Sequence, residues 1–188
     1  MNLTSVQLAA LKADVLADAT LSLIDHTSNS GYQQIAAAYN LFPQTDFFVY
    51  RSAVSVQDIY DQIVWANLTP TDDADGTVLW QNRALVCQGK QFNLQIILQG
   101  QPTINAAKAN VRAGLQDALT NVPSGVAGAK VSAGWVGVRD NALARKATRG
   151  EKLFATVAAQ QDGTTVAKAA SLGAEGQVTA QNISEAFS

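Results

Sequence analysis

Apolar residues recur at helical spacing along most of this chain, and short polar clusters punctuate the runs. Leu8, Leu11 and Val15 step along the first predicted helix. Ahead of them Thr4 and Gln7 make a T-x-x-Q capping box, and Leu3 and Leu8 occupy the two positions of a hydrophobic staple. A second helical piece is predicted over about 19–26, up to the turn at Ser28-Asn-Ser-Gly31, and a short Ala-rich helix over about 33–39 stops before Pro43. Ser55 caps a further helix with Ile59, Ile63 and Val64 on its apolar side.

The longest predicted helix covers about 76–99, where Ala84, Cys87, Gln91, Leu94 and Leu98 continue a seam begun at Trp80. Gln91 is a polar residue within that seam. Gly100 and Pro102 end it. A helix over about 106–120 carries Val111, Leu115 and Leu119, with Ala107, Gly114 and Ala118 beside them to allow close packing. The chain then reads as helical over about 126–157, with Val131, Trp135, Val138 and Ala142 on one face; a second capping box at Thr148 and Glu151 allows two helices meeting at an angle as well as one.

One run has strand character, from Asp46 to Arg51. It shows no ladder partner, so it reads as an extended connector whose aromatics fill the core. From Gln160 to Gln177 small and polar residues dominate and little can be buried; a short helix from Thr179 or Asn182 closes the chain. The expected fold is mainly α: a helical bundle over 1–157 and an extended C-terminal arm over 158–188, with little or no sheet.

Composition narrows the function classes. Apolar residues at 47% against 15% charged fit a globular chain, and a net charge of −2 argues against general nucleic-acid binding through phosphate neutralisation. Cys87 is the only cysteine, which excludes an intramolecular disulfide and a cysteine-cluster metal site. The start of the chain lacks signal-peptide character, and no apolar run reaches the roughly 20 residues that span a bilayer, so no membrane partner is expected.

Motif chemistry is sparse. The acidic loop from Thr71 to Gly76 offers Asp73 and Asp75 to an EF-hand alignment, but Thr71 and Asn82 fill the first and closing positions, and a helix cap at Asp75 explains the loop better. His26 stands alone without a zinc partner set. Ser124 lies in a turn rather than a nucleophile elbow, and the glycine pairs at 125 and 128 and at 134 and 137 lack the spacing and lysine of a P-loop. Cys87 on the seam reads as a buried small hydrophobe. No catalytic, cofactor-binding or metal-ligating residue is assigned, and an enzyme is not expected.

The charged feature that remains is basic. Arg145, Arg149 and Lys152 share a face if the helix is continuous, either as a solvated surface or as a contact to DNA backbone or an acidic partner. In the arm, Gly163, Val166, Leu172, Val178, Ile183 and Phe187 are the candidate partner-docking residues.

Ordered blocks of the sequence resemble a widespread family of tailed-bacteriophage and prophage structural-region proteins. They are Leu3-Thr-Ser-Val-Gln-Leu-Ala-Ala-Leu-Lys-Ala-Asp14, Ile63-Val-Trp-Ala-Asn-Leu-Thr-Pro70, Asn82-Arg-Ala-Leu-Val-Cys-Gln-Gly-Lys-Gln-Phe-Asn-Leu-Gln95, Asn110-Val-Arg-Ala-Gly-Leu-Gln-Asp-Ala-Leu-Thr120 and Lys146-Ala-Thr-Arg-Gly-Glu-Lys-Leu-Phe-Ala-Thr156. The resemblance implies a virion protein assembled in the host cytoplasm. Combined with a helical body of under 200 residues and a C-terminal arm able to run onto a neighbour, it leads to the expectation of a head–tail adaptor: a homo-oligomeric ring, of twelve copies where it matches the portal, contacting portal and tail proteins and passing DNA through its channel. A minor capsid or decoration protein and a non-virion assembly factor are the alternatives. After Thr156 the family continues with a Gly-Thr-Gly turn where this chain has Val157-Ala-Ala-Gln160.

Overall fold

The structure, a computed structural model, describes residues 1–69, 80–124, 128–156 and 165–188. Their elements run in order α1 (Ser5–Ala17), α2 (Asn29–Tyr39), β1 (Phe48–Tyr50), β2 (Val54–Ser55), α3 (Val56–Tyr60), α4 (Trp65–Leu68) and α5 (Trp80–Leu98). They continue with β3 (Thr103–Ile104), α6 (Ala109–Leu119), β4 (Val122–Pro123), β5 (Lys130–Val131), α7 (Trp135–Gly137), β6 (Ala144–Lys146), α8 (Arg149–Phe154), β7 (Ala170–Ser171) and α9 (Ala180–Phe187). The fold is mainly α, with small sheets of two and three strands.

The chain forms two compact units. The first comprises Met1–Val49 and Lys146–Ser188, and the second comprises Tyr50–Arg145. This corrects the division expected at residue 157. Residues 165–188 are not a separate arm but part of the first unit.

In the first unit α9 packs on α1 and α2. Leu11, Val15, Ile35, Tyr39, Val178 and Ile183 are central to its core, with Leu3 and Leu8 packed at the margin. Thr4 and Gln7 complete the predicted capping box, and Ser28 caps α2 four residues earlier than the Ala-rich pattern suggested. The piece predicted over 19–26 contracts to a 3₁₀ turn at Leu21–Leu23.

The C-terminal residues are anchored by backbone groups that their bland composition conceals. Glu151, only 2% exposed, accepts the Gly176 N–H at 3.0 Å. Asn182 Nδ2 donates to Met1 O at 3.1 Å, and Gln7 Nε2 donates to Gly173 O at 3.1 Å. Each bond lets a small or polar residue be ordered with little apolar area.

β1 also departs from expectation. It has partners, lying between β6 and β7 in a three-stranded sheet. The pairing residues come about a hundred positions later, beyond the reach of a local pattern. Beneath it Phe47, Val49, Ala147 and Ala170 form a small cluster, with Leu172 half-buried against them.

The second unit is built on α5 and α6, where Gly114 lets the helices approach: a Cβ there would stand 2.9 Å from Ile97 Cδ1. Ala84, Cys87, Leu94 and Leu98 are buried as the seam predicted, and Gln91 Nε2 donates to Leu68 O at 3.1 Å. Cys87 is fully buried, and burial pushes its thiol pKa up. Short antiparallel pairs join β2 to β3 and β4 to β5.

The helical reading of about 126–157, as one helix or as two meeting at the Thr148 capping box, holds only in part over the described residues 128–156. Gly134 takes φ +97° at the start of α7, a π-helical turn follows at Val138–Leu143, and the chain then extends into β6. Only after Thr148, extended at φ −72° and ψ 168°, does α8 begin, with the Thr148–Glu151 capping box in place.

Candidate functional site

Two carboxylates four residues apart on one helix prepare the site. Asp14 lies in α1 and Asp18 caps its C-terminus, at the i, i+3, i+4 and i+7 spacing that sets them beside buried Leu11 and Val15. An uncompensated pair of acids at the negative end of a helix dipole is unfavourable, and both find the same cation. Arg149, the first residue of α8, donates from Nη2 to Asp14 Oδ2 at 3.0 Å and from Nη1 to Asp18 Oδ2 at 2.8 Å.

The guanidinium also lies over the ring of buried Tyr39, 4.7 Å from its centroid. The Tyr39 hydroxyl donates to Asp14 Oδ2. The Arg149 N–H donates to Leu41 O at 2.8 Å, which ties the start of α8 to the segment leaving α2. Three helices are thus locked at one point.

Titration follows from these contacts. The N–H groups of Leu21 and Thr20, then Arg149, lower the Asp18 pKa to about 2. Burial first, and the bond to Asp14 next, push the Tyr39 phenol well above its usual range. Burial works against the Arg149 charge, but the bonds to Asp14 and Asp18 outweigh it and raise its pKa.

Beside this lock lies an open groove of about 690 Å³, lined by Asp14, Ala38, Leu41, Phe42, Pro43, Gln44, Arg149, Lys152 and Leu153. Leu41 and Phe42 are 66% and 64% exposed. Lys152 is exposed, its ammonium 5.5 Å from the Phe47 ring centroid.

Searches against protein-family models, characterised proteins and solved structures found no match.

The predicted basic face is therefore dispersed. Arg145 is on β6, outside the helix that holds Arg149 and Lys152. Arg149 forks onto two carboxylates, so engaging phosphate would mean giving up bonds already made. Lys152 alone of the three is both in the groove and exposed.

The docking residues expected in the arm are corrected as well. Val178 and Ile183 are core residues of the first unit, and Phe187 stacks on His26 with ring centroids 4.4 Å apart. Leu172 is half-buried, and Val166 lies in a 3₁₀ turn at Val166–Lys168. Gly163 and the acidic loop from Thr71 to Gly76 lie outside the described residues. Among the described residues no group of three or more His, Cys, Asp or Glu is placed to hold a metal, and no helix is long and apolar enough to cross a membrane.

Asp14, Asp18, Tyr39, Leu41 and Phe42 escaped the sequence reading. The available signals were the i, i+4 acid pair and the Leu41-Phe42-Pro43 run directly after a helix stop.

Proposed function

We propose that this chain is a structural subunit of a tailed-bacteriophage particle: a head–tail adaptor, assembled as a homo-oligomeric ring below the portal and joining it to the tail. Its work is mechanical in this reading, and the rigid body is the α1, α2 and α9 helical packing. The ordered blocks of family resemblance support the particle assignment. The observation that carries the adaptor role is the exposed Leu41–Phe42 edge beside a groove with fixed charges.

Adjacent large apolar side chains at this exposure are costly to leave in water and suit a protein contact. A ring needs a heterologous contact, in which one face of each subunit meets a different face of the next. The groove supplies one such face, with Lys152 available to an acidic group of a neighbour or of the portal.

Electron microscopy of purified particles tests the assignment. A ring at the portal vertex is expected. Copies spread over the shell would mean a decoration protein, and presence only in assembly intermediates would mean an assembly factor; either overturns the adaptor. Phe42→Asp should leave the fold intact and prevent the protein from joining portal complexes.

A further inference from the structure

Helix α5 has a second apolar face. Its seam of Ala84, Cys87, Leu94 and Leu98 faces the core of the second unit. On the opposite side Leu85, Phe92 and Ile96 are 67%, 61% and 62% exposed. With Gly89 they step by four, three and four, the spacing of residues that meet another helix.

Gly89 is the informative member. Glycine inside a helix is destabilising, and here the subunit derives no packing from it: a Cβ would meet nothing within 4 Å. The gap makes sense when something large enters from outside.

We infer that α5 pairs antiparallel with α5 of a second copy, about a two-fold axis level with the Lys90–Gln91 peptide. In that register Phe92 of each copy falls opposite Gly89 of the other, and Leu85 falls opposite Ile96. A large ring faces a missing side chain twice, and two branched aliphatics meet at each end. The stripe is complementary to itself, as an isologous contact requires.

The charges permit it. Gln88, Asn93 and Gln95 beside the stripe are uncharged amides, and the Lys90 ammonium is turned to Asp117, 3.9 Å from its Oδ1. Two copies therefore meet without like charges opposed. This pairing goes beyond the particle reading and does not rest on it, because the isolated protein tests it.

Sedimentation of the full chain across a concentration series should show a monomer passing to a dimer. Phe92→Glu, at an exposed position, should keep the helical circular dichroism and raise the dimer dissociation constant by about 30-fold or more, as expected for a central aromatic contact. Mild oxidation of Leu85→Cys mixed with Ile96→Cys should give a mixed disulfide, and neither variant alone should form one. A monomer at every concentration, or a dimer that Phe92→Glu leaves unchanged, would overturn the pairing. Disulfides formed by each variant alone, or no mixed disulfide, would overturn the antiparallel register.

Discussion

Asn40 and Val178 hold each other by two hydrogen bonds across 138 residues: the Val178 N–H donates to Asn40 Oδ1 at 2.9 Å, and Asn40 Nδ2 donates to Val178 O at 2.9 Å. Asn40 caps α2 and buried Val178 precedes α9, so one amide side chain completes the backbone bonding where two distant segments meet. Asn40→Ala leaves both groups of Val178 without this partner. A stability loss of about 2–3 kcal/mol is expected, read by urea denaturation followed through helical circular dichroism.

The Tyr39–Asp14–Arg149 contact predicts two graded losses. Tyr39→Phe keeps the ring beneath the guanidinium and removes the hydroxyl, at a cost of about 1–2 kcal/mol. Arg149→Lys keeps the charge but cannot reach both carboxylates in the same fork, and should cost about 1 kcal/mol in a partly solvated site. Affinity for duplex DNA should be equally low in Arg149→Lys, Arg149→Ala and the parent chain. A fall confined to the variants, measured by filter binding at low salt, would contradict the structural role of Arg149.

Acid sensitivity follows from Asp18. Its carboxyl, ordinarily at 3.8, is lowered to about 2 in the folded chain. The unfolded state therefore binds the proton more readily, so the contribution of Asp18 is present above about pH 4 and is lost as pH falls toward 2. Asp18→Asn should be less stable than the parent at neutral pH, and the difference should shrink through that window. Urea midpoints measured from pH 7 to pH 2 check it.

Two glycines of the second unit should respond to alanine in opposite directions. Gly134 holds φ +97°, and a Cβ there would stand 2.3 Å from Gln62 O, so Gly134→Ala combines backbone strain with a backbone clash. A loss of about 3 kcal/mol is expected. Gly89 is helical with open space around it, and Gly89→Ala should raise the monomer's stability by roughly 0.5–1 kcal/mol. Thermal melts of the two variants beside the parent separate the effects.

Features whose cause is local were legible in the sequence. The capping boxes at Thr4–Gln7 and Thr148–Glu151 each need only four consecutive residues, and the seam through Cys87, Leu94 and Leu98 needs only helical period. The pairing of β1 leaves no local trace, because its sheet neighbours arrive near residues 145 and 170. The packing of residues 165–188 is illegible for a different reason. Their attachment depends on Asn40 and Glu151 accepting from backbone N–H groups and on the Asn182 amide donating to Met1 O, and hydrogen bonding of that kind leaves no mark on hydrophobic pattern. Arg145 and Arg149 have helical spacing in the sequence but share no helix, because the backbone between them is extended at Thr148.

The interleaved order of the two units sets a sequence of events during synthesis. Tyr50–Arg145 is contiguous and can close once that stretch has left the ribosome. Helices α1 and α2 precede that stretch, yet their apolar faces are completed by α9 and by Val178, which are translated after it. These helices must therefore wait, partly uncovered, while the second unit is made, and the first unit is finished only after it.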